Sequence, residues 1–364
     1  MTVKGLVLES VGTPLRLVDD LVVDRPQTRE VLVRVAATGV CHSDLHFRDG
    51  RWTTFPLPLV LGHECSGVVE AVGESVTYLR PGDHVVGCLT AFCGECSYCL
   101  TGRMFLCAQA GLAREADRRP RLSRRGEPVS QFVNLSSFAE QMLVHERALV
   151  KVDADIPLDV AAVLGCAVTT GVGAVLNTAR VEAGETVVVV GCGGIGLNVV
   201  QGARLASAGR ILAVDRSPER LQDAMRFGAT ETLLAHDDVV AAVLESTRGG
   251  VDHAFEAVGL SATAQTAFEM LAPGGTATVV GMLPEGDTIS VSGTSLLFDR
   301  RLRGSNMGSN RFRVDIPRYL SLYRDGRLML DELIGARIAL NQVDAALDAL
   351  HRGEGATRSV AVLT

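Results

Sequence analysis

The pattern of apolar and polar positions divides the chain into two textures. In the first, short β-branched runs recur at Val3–Leu8, Leu15–Leu17, Glu30–Ala36 and Gly67–Val72. Turn residues such as Arg80-Pro81-Gly82-Asp83 punctuate them. Many short strands separated by turns predict a barrel or sandwich-like region. Strand-like residues return from Ser137 to Val152. From about Asp159 small-residue helical stretches take over, at Val160–Leu164 and Thr169–Ala179. They lead into Glu185-Thr186-Val187-Val188-Val189-Val190, the continuous β-branched run of a parallel strand buried on both faces. A helical pattern over Leu197–Ala206 follows, then strands at Arg210–Val214, Val251–Ala257, Gly275–Gly281 and Leu302–Ser305. After Met307 the pattern predicts a helix at Asp315–Arg324, a strand at Leu333–Leu340, a helix at Val343–Leu350 and a last strand at Ser359–Leu363. The expected layout is α/β: a β-rich domain of residues 1–167 and 307–364, interrupted by a doubly wound parallel sheet over 168–306.

Composition narrows the chemistry. A net charge of −7 gives nucleic acid no electrostatic footing. No apolar run approaches the roughly 18 residues of a membrane span. Met1-Thr2-Val3-Lys4-Gly5-Leu6 goes straight into strand-like alternation, so a cytoplasmic protein is expected. In that setting nine cysteines read as metal ligands or reactive thiols rather than disulfides.

Cys93, Cys96, Cys99 and Cys107 form C-x2-C-x2-C-x7-C. Four thiolates at this spacing close a tetrahedral structural zinc site. Bacterial iron–sulfur runs also begin C-x2-C-x2-C, but their fourth cysteine follows after x3 and precedes proline, unlike Cys107. The lobe at about 93–107 is too small for much of an apolar core, so the metal is expected to hold it together. Cys41 and His63 offer the thiolate and imidazole that zinc prefers, and Cys166 is the best candidate for a third ligand of an open catalytic site. Ser43 stands two residues after Cys41, where a hydroxyl could take a proton beside the open position.

Gly191-Cys192-Gly193-Gly194-Ile195-Gly196 lies between a buried strand and a helix, and Asp215 ends the next strand. That context marks a dinucleotide site, with the pyrophosphate on the helix N-terminus. Asp215 suits the adenosine ribose hydroxyls and repels a 2′-phosphate, favouring NAD, although Arg216 beside it softens the preference. The basic stretch Arg114, Arg118, Arg119, Arg121, Arg124 and Arg125 reads as a surface excursion with solvated charge.

Together these motifs resemble the zinc-dependent medium-chain alcohol dehydrogenases over nearly the whole length. The stretch ending Ser123-Arg124-Arg125-Gly126-Glu127-Pro128 is similar to their liver-type and class III branch. The resemblance implies a GroES-like catalytic domain and a Rossmann domain, two zinc ions per chain and NAD. It implies Cys41, His63 and Cys166 as catalytic ligands; two cysteines and a histidine are the known set in alcohol dehydrogenases. It places Glu64 close behind the metal and Asp44 as the carboxylate orienting His63. It carries His42 and Arg358 to the pyrophosphate, Arg220 to the adenosine ribose and Thr170 to the nicotinamide. Its proton relay would run from Ser43, by way of the cofactor ribose, to His46. Trp52, Leu89 and Phe138 would line the substrate pocket, with Met307 near its mouth.

Such a pocket would suit aromatic, allylic or medium-chain alcohols. Class III members use an acidic residue where this chain has Trp52, and a basic one near Gly111, so these departures speak against a glutathione adduct. A different thiol-adduct formaldehyde dehydrogenase and a non-catalytic sensor of the NAD/NADH ratio are the rival readings. By resemblance a homodimer is expected. Cys65 and Cys88 read as core thiols, while Cys192, inside the glycine loop, is a candidate for regulatory oxidation.

Overall fold

The structure, a computed structural model, describes residues 2–108, 112–115, 118–236 and 238–363. Contacts group the chain into two compact units. One comprises Met1–Cys166, Arg311–Ser321 and Leu330–Thr364; the other Ala167–Asn310 and Leu322–Met329.

The first unit is built on two antiparallel systems. Thr2–Leu8, Arg16–Val23, Leu122–Arg124, Glu127–Gln131 and Leu59–Val60 close into a small barrel. Beside it runs a seven-stranded sheet in the order Leu149–Val152, His84–Gly87, Glu64–Val72, Glu30–Gly39, Ser359–Val362 and Ala336–Ile338, with Gln141–His145 also paired to Glu30–Gly39. The chain's last strand pairs with Ala37–Gly39, so residues from opposite ends of the sequence share one sheet. Val31, Val33 and Val35 alternate inward along Glu30–Gly39 and pack on Val69, Val85, Met142, Val144 and Leu149. Where that strand ends, the helix His42–Arg48 begins, with Cys41 as its N-cap residue.

The basic stretch is not the solvated excursion expected of it. Leu122–Arg124 and Glu127–Gln131 are barrel strands. The Arg114 and Arg121 side chains are buried on Glu30, at 2.5 and 2.7 Å, and Arg114 also meets Asp24 at 2.6 Å. Arg124 pairs with Asp20 and Glu9. Only Arg118, Arg119 and Arg125 stay exposed. Gly111 lies outside the described residues.

The second unit is an all-parallel, six-stranded sheet in the order Glu231–Leu234, Arg210–Asp215, Thr186–Val190, Val251–Glu256, Leu271–Val279 and Arg301–Gly304. This is the doubly wound order, which reverses direction beside its first strand. Val187, Val188 and Val189 are fully buried, as a strand covered on both faces requires. The weakly apolar strand Glu231–Leu234 was not foreseen from the sequence. No single helix among the described residues is long and apolar enough to cross a membrane.

Candidate active site and metal centres

Cys41, His63 and Cys166 come from three separate elements. They occupy the helix entry after Glu30–Gly39, the turn before Glu64–Val72, and the break between the 3-10 turn Val163–Gly165 and the helix Ala167–Gly173. All three are buried, and their ligand atoms lie within 4.8 Å of one another. Gly62 makes the turn possible: its φ is +91°, and an added Cβ would strike Phe138 and Ser137 at 2.6–2.7 Å.

One carboxylate fixes the group. Asp44 accepts hydrogen bonds from the Cys41 amide at 3.2 Å and the Gly62 amide at 3.0 Å, and it meets His63 Nδ1 at 3.1 Å. With Nδ1 tied to Asp44, Nε2 faces the thiols and has no hydrogen-bond partner of its own. Burial disfavours the imidazolium, but the charge and hydrogen bond of Asp44 outweigh it, so His63 is strongly basic. Cys41 is drawn well below the ordinary thiol range, first by its hydrogen bond with Cys166 and then, against burial, by Arg358 and His63. A basic imidazole and a stabilised thiolate at these separations are a donor set for zinc.

The four-cysteine lobe fits a second zinc on its own geometry. Its Sγ–Sγ separations include 3.9 Å for Cys93–Cys99, 3.5 Å for Cys96–Cys99 and 3.9 Å for Cys96–Cys107. A tetrahedron with 2.3 Å Zn–S bonds has edges of about 3.8 Å. The amides of Glu95 and Cys96 donate to Cys93 Sγ, and that of Cys93 donates to Cys107 Sγ. Those two amides pull Cys93 down to about 6.

In the second unit Gly191 turns the chain at φ +94°, and its amide donates to Val214 O at 2.8 Å. Gly196 packs so tightly that an added Cβ would lie 1.8 Å from Gly191 O, whereas one at Gly193 would meet nothing within 4 Å. Gly193 is the N-cap residue of the helix Gly194–Leu205, and Ile195 lies in its first turn. Asp215 accepts from the Cys192 and Ser217 amides at 2.7 and 2.9 Å, which fixes its carboxylate at the glycine loop. The open space over Gly193 at a helix N-terminus fits a pyrophosphate.

Residues 27–154 match the model of the alcohol dehydrogenase GroES-like domain, and residues 194–323 match that of the zinc-binding dehydrogenases. The chain is 35% identical to alcohol dehydrogenase class-3 of Oryza sativa subsp. japonica, over 97% of this chain and 95% of the relative. It is 37% identical to S-(hydroxymethyl)glutathione dehydrogenase of Photobacterium damsela subsp. piscicida, over 97% and 98%. The chain belongs to the zinc-dependent medium-chain alcohol dehydrogenase family. Its fold is that of an alcohol dehydrogenase zinc-binding domain protein from Burkholderia ambifaria (TM-score 0.94, 37% identity, 100% and 99% covered). It is equally that of benzyl alcohol dehydrogenase from Acinetobacter calcoaceticus (TM-score 0.93, 33% identity, both chains fully covered). This alcohol dehydrogenase is an NAD-dependent zinc oxidoreductase.

Around the zinc ligands, Ser43 Oγ lies 3.8 Å from Cys41 Sγ. His46 is buried with Nδ1 unpartnered. Burial, then the charges of His42 and Arg51, lower its pKa below the usual histidine value. His42 itself is exposed. Arg358 is buried beside Cys41 and Glu64. Its Nη1 donates to Val40 O at 3.0 Å and its Nη2 stands 3.2 Å from Glu64 Oε2. Glu64 is fully buried, and burial pushes it up to about 7 against the opposing charge of Arg358.

Trp52 is half-buried, its ring 6.3 Å from that of Phe47. Leu89 packs on the apolar core of the first unit. Phe138 is fully buried beside the Gly62 turn. The ring that meets His63 edge-on, at 5.6 Å, is Phe132, which the sequence reading missed. Phe132 in turn contacts Phe47 at 4.7 Å and Phe55 at 5.3 Å. In the second unit Thr170 donates to Met307 Sδ at 3.3 Å, which brings those two expected residues together. Arg220 is half-buried at the start of the helix Pro218–Phe227, and Arg216 is exposed. Cys65, Cys88 and Cys192 are buried, and burial raises their thiols to about 12, 11 and 12. A raised thiol pKa disfavours the thiolate on which regulatory oxidation of Cys192 would depend.

Proposed function

We propose that this enzyme interconverts primary alcohols with aromatic, allylic or medium-chain bodies and their aldehydes, and that it acts as a homodimer. The observation that carries the substrate class is the aromatic wall beside His63, formed by Phe132, Phe47 and Phe55 with Trp52 at its edge. Such a wall binds apolar and aromatic bodies through area and edge-to-face contacts. Zinc supplies Lewis acidity that acidifies a bound alcohol, and NAD accepts the hydride. Asp44 holds the His63 tautomer and the Cys41 backbone. Ser43 presents a hydroxyl next to Cys41 to take the alcohol's proton. His46, held neutral by burial and its cationic neighbours, is the base at the end of the relay. Arg358, 3.2 Å from Glu64, sets its positive charge against the buried thiolates.

The test is kcat/KM for benzyl alcohol, geraniol, hexanol and ethanol, read by NADH formation, with zinc quantified on the same sample. The reading expects two zincs per chain and a preference for the bulkier alcohols of at least tenfold over ethanol. A relative named S-(hydroxymethyl)glutathione dehydrogenase supports a second reading, oxidation of a thiol adduct of formaldehyde. Turnover of formaldehyde only with an added low-molecular-weight thiol, and none of free alcohols, would replace the first reading with the second. Trp52 offers no carboxylate for the amine of such a carrier.

A further inference from the structure

Two guanidinium groups converge beside the four-cysteine lobe. Arg147 lies in the 3-10 turn Glu146–Ala148, which follows the strand Gln141–His145. Its half-buried side chain rests against Gly94, between Cys93 and Cys96. A Cβ added at Gly94 would stand 2.9 Å from Arg147 Nη1 and 3.2 Å from Cζ. The same guanidinium lies 6.0 Å from the ring centroid of Phe92, the residue before Cys93. Arg313 approaches that ring at 5.5 Å, and its hydrogen bonds go to the carbonyls of Leu149 and Glu146. Glu146, next to Arg147 in sequence, is engaged by Arg29 at 3.1 Å. Among the described residues no carboxylate lies within ion-pair distance of Arg147.

A half-buried cation beside a second cation, with no carboxylate to meet it, is unfavourable unless another anion is near. The anion at hand is the metal centre itself. Four thiolates around one divalent cation carry a net charge of about −2. The amides of Glu95 and Cys96 offset part of that charge at Cys93. Gly94, at φ +83° and without a side chain, leaves the guanidinium free to approach the loop.

We infer that Arg147 is the counter-charge of the Cys93/Cys96/Cys99/Cys107 centre, a positioning residue that slows loss of its zinc. It is distinct from the ligands and from the catalytic site, and it acts through electrostatics.

The experiment follows zinc release from the full-length enzyme into a chromogenic chelator. Tryptic cleavage after Arg103, between Cys99 and Cys107, identifies the phase in which the lobe opens. Arg147→Met is expected to accelerate that phase about tenfold, as for residues behind metal ligands elsewhere, and to leave release of the catalytic zinc unchanged. Arg147→Lys, which keeps the charge, is expected to stay within about twofold of wild type. Added salt, which cuts the screening length from about 20 Å to about 4 Å, should speed the lobe phase in wild type but not in Arg147→Met. Release from Arg147→Met at the wild-type rate overturns the proposal. So does Arg147→Lys behaving like Arg147→Met, which would make shape and not charge the cause. If Arg147→Met does not fold, the salt dependence of the wild type decides, and a flat one overturns the proposal. Wild-type enzyme that lacks zinc in the lobe overturns the metal assignment and the proposal together.

Discussion

Asp44 shows how much one side chain decides at this site. Its two oxygens serve the Cys41 amide, the Gly62 amide and His63 Nδ1. Asp44→Asn keeps the shape but turns an N–H toward groups that are themselves donors. Catalytic zinc affinity is expected to fall about 10- to 100-fold, the cost usual for such partners of a ligand. Metal analysis after mild chelation should then find the lobe's zinc retained and the other lost; two retained zincs would deny Asp44 this role. His46 makes a pH prediction. Its pKa lies below 6.5 in the folded enzyme, so it is a free base at pH 7. His46→Gln is expected to lower kcat about a hundredfold at pH 7, the lower end for a positioned base. The deficit should shrink above pH 9 and in concentrated imidazole buffer; a loss independent of both would leave His46 only a packing role. At this scale the zinc ligands were legible because spacing and residue type specify them. The place of Phe132 beside His63 was not. It depends on the left-handed backbone of Val133, Asn134 and Ser136, which turns Phe132 toward His63 and nothing in a linear pattern announces.

Elements bring other residues into play. The Glu30 cluster ties the segment leading into the barrel strand Leu122–Arg124 to the long strand of the neighbouring sheet, through pairs 84 and 91 positions apart in sequence. That distance is why this run of arginines read as solvated: the acidic partners of Arg114, Arg121, Arg124 and Arg125 lie far upstream. Burial raises the Glu30 pKa, but Arg114, the Gln27 amide and Arg121 together bring it below its ordinary value. Its stabilising effect is therefore complete above pH 4.5 and is lost as pH falls through the lower folded value. Glu30→Gln leaves Arg121 buried without its charge partner, and urea unfolding is expected to show a loss of about 3–5 kcal/mol. A loss under 1 kcal/mol would mean that the cluster is solvated after all. The glycine loop separates structure from binding by two substitutions. Gly196→Ala forces a Cβ onto Gly191 O and should destabilise the nucleotide unit by several kcal/mol. Gly193→Ala meets no atom, so stability should hold within about 0.5 kcal/mol while NAD affinity, measured by calorimetry, falls about tenfold as the methyl enters the pyrophosphate space. Unchanged affinity would put the pyrophosphate elsewhere. The doubly wound order was readable here because buried parallel strands are continuous apolar runs. Glu231–Leu234, at the sheet edge and half polar, had no such run to show.

For the whole molecule the open question is what covers the two ends of the six-stranded sheet, since an unpaired edge is a template for another strand. The edges differ. At Glu231–Leu234 the Glu231 side chain is tied to Arg210 at 2.7 Å, a charged pair that discourages pairing. At Arg301–Gly304 the strand is preceded by Leu296, Leu297 and Phe298, which are 48%, 84% and 60% exposed. An apolar triplet beside an open edge is costly in water and fits a second copy of the same edge, related by a two-fold axis. A chain of 38.6 kDa should therefore run as a dimer of about twice that mass in light scattering. Phe298→Glu, on the surface and away from both metal centres in sequence, should shift it to the monomer while keeping two zincs and the far-ultraviolet spectrum. A variant that remains dimeric would place the interface elsewhere, and a monomeric wild type would refute the dimer itself. The sequence held the apolar triplet in plain view but not its meaning, because Leu296, Leu297 and Phe298 become conspicuous only when the strand after them is known to end the sheet.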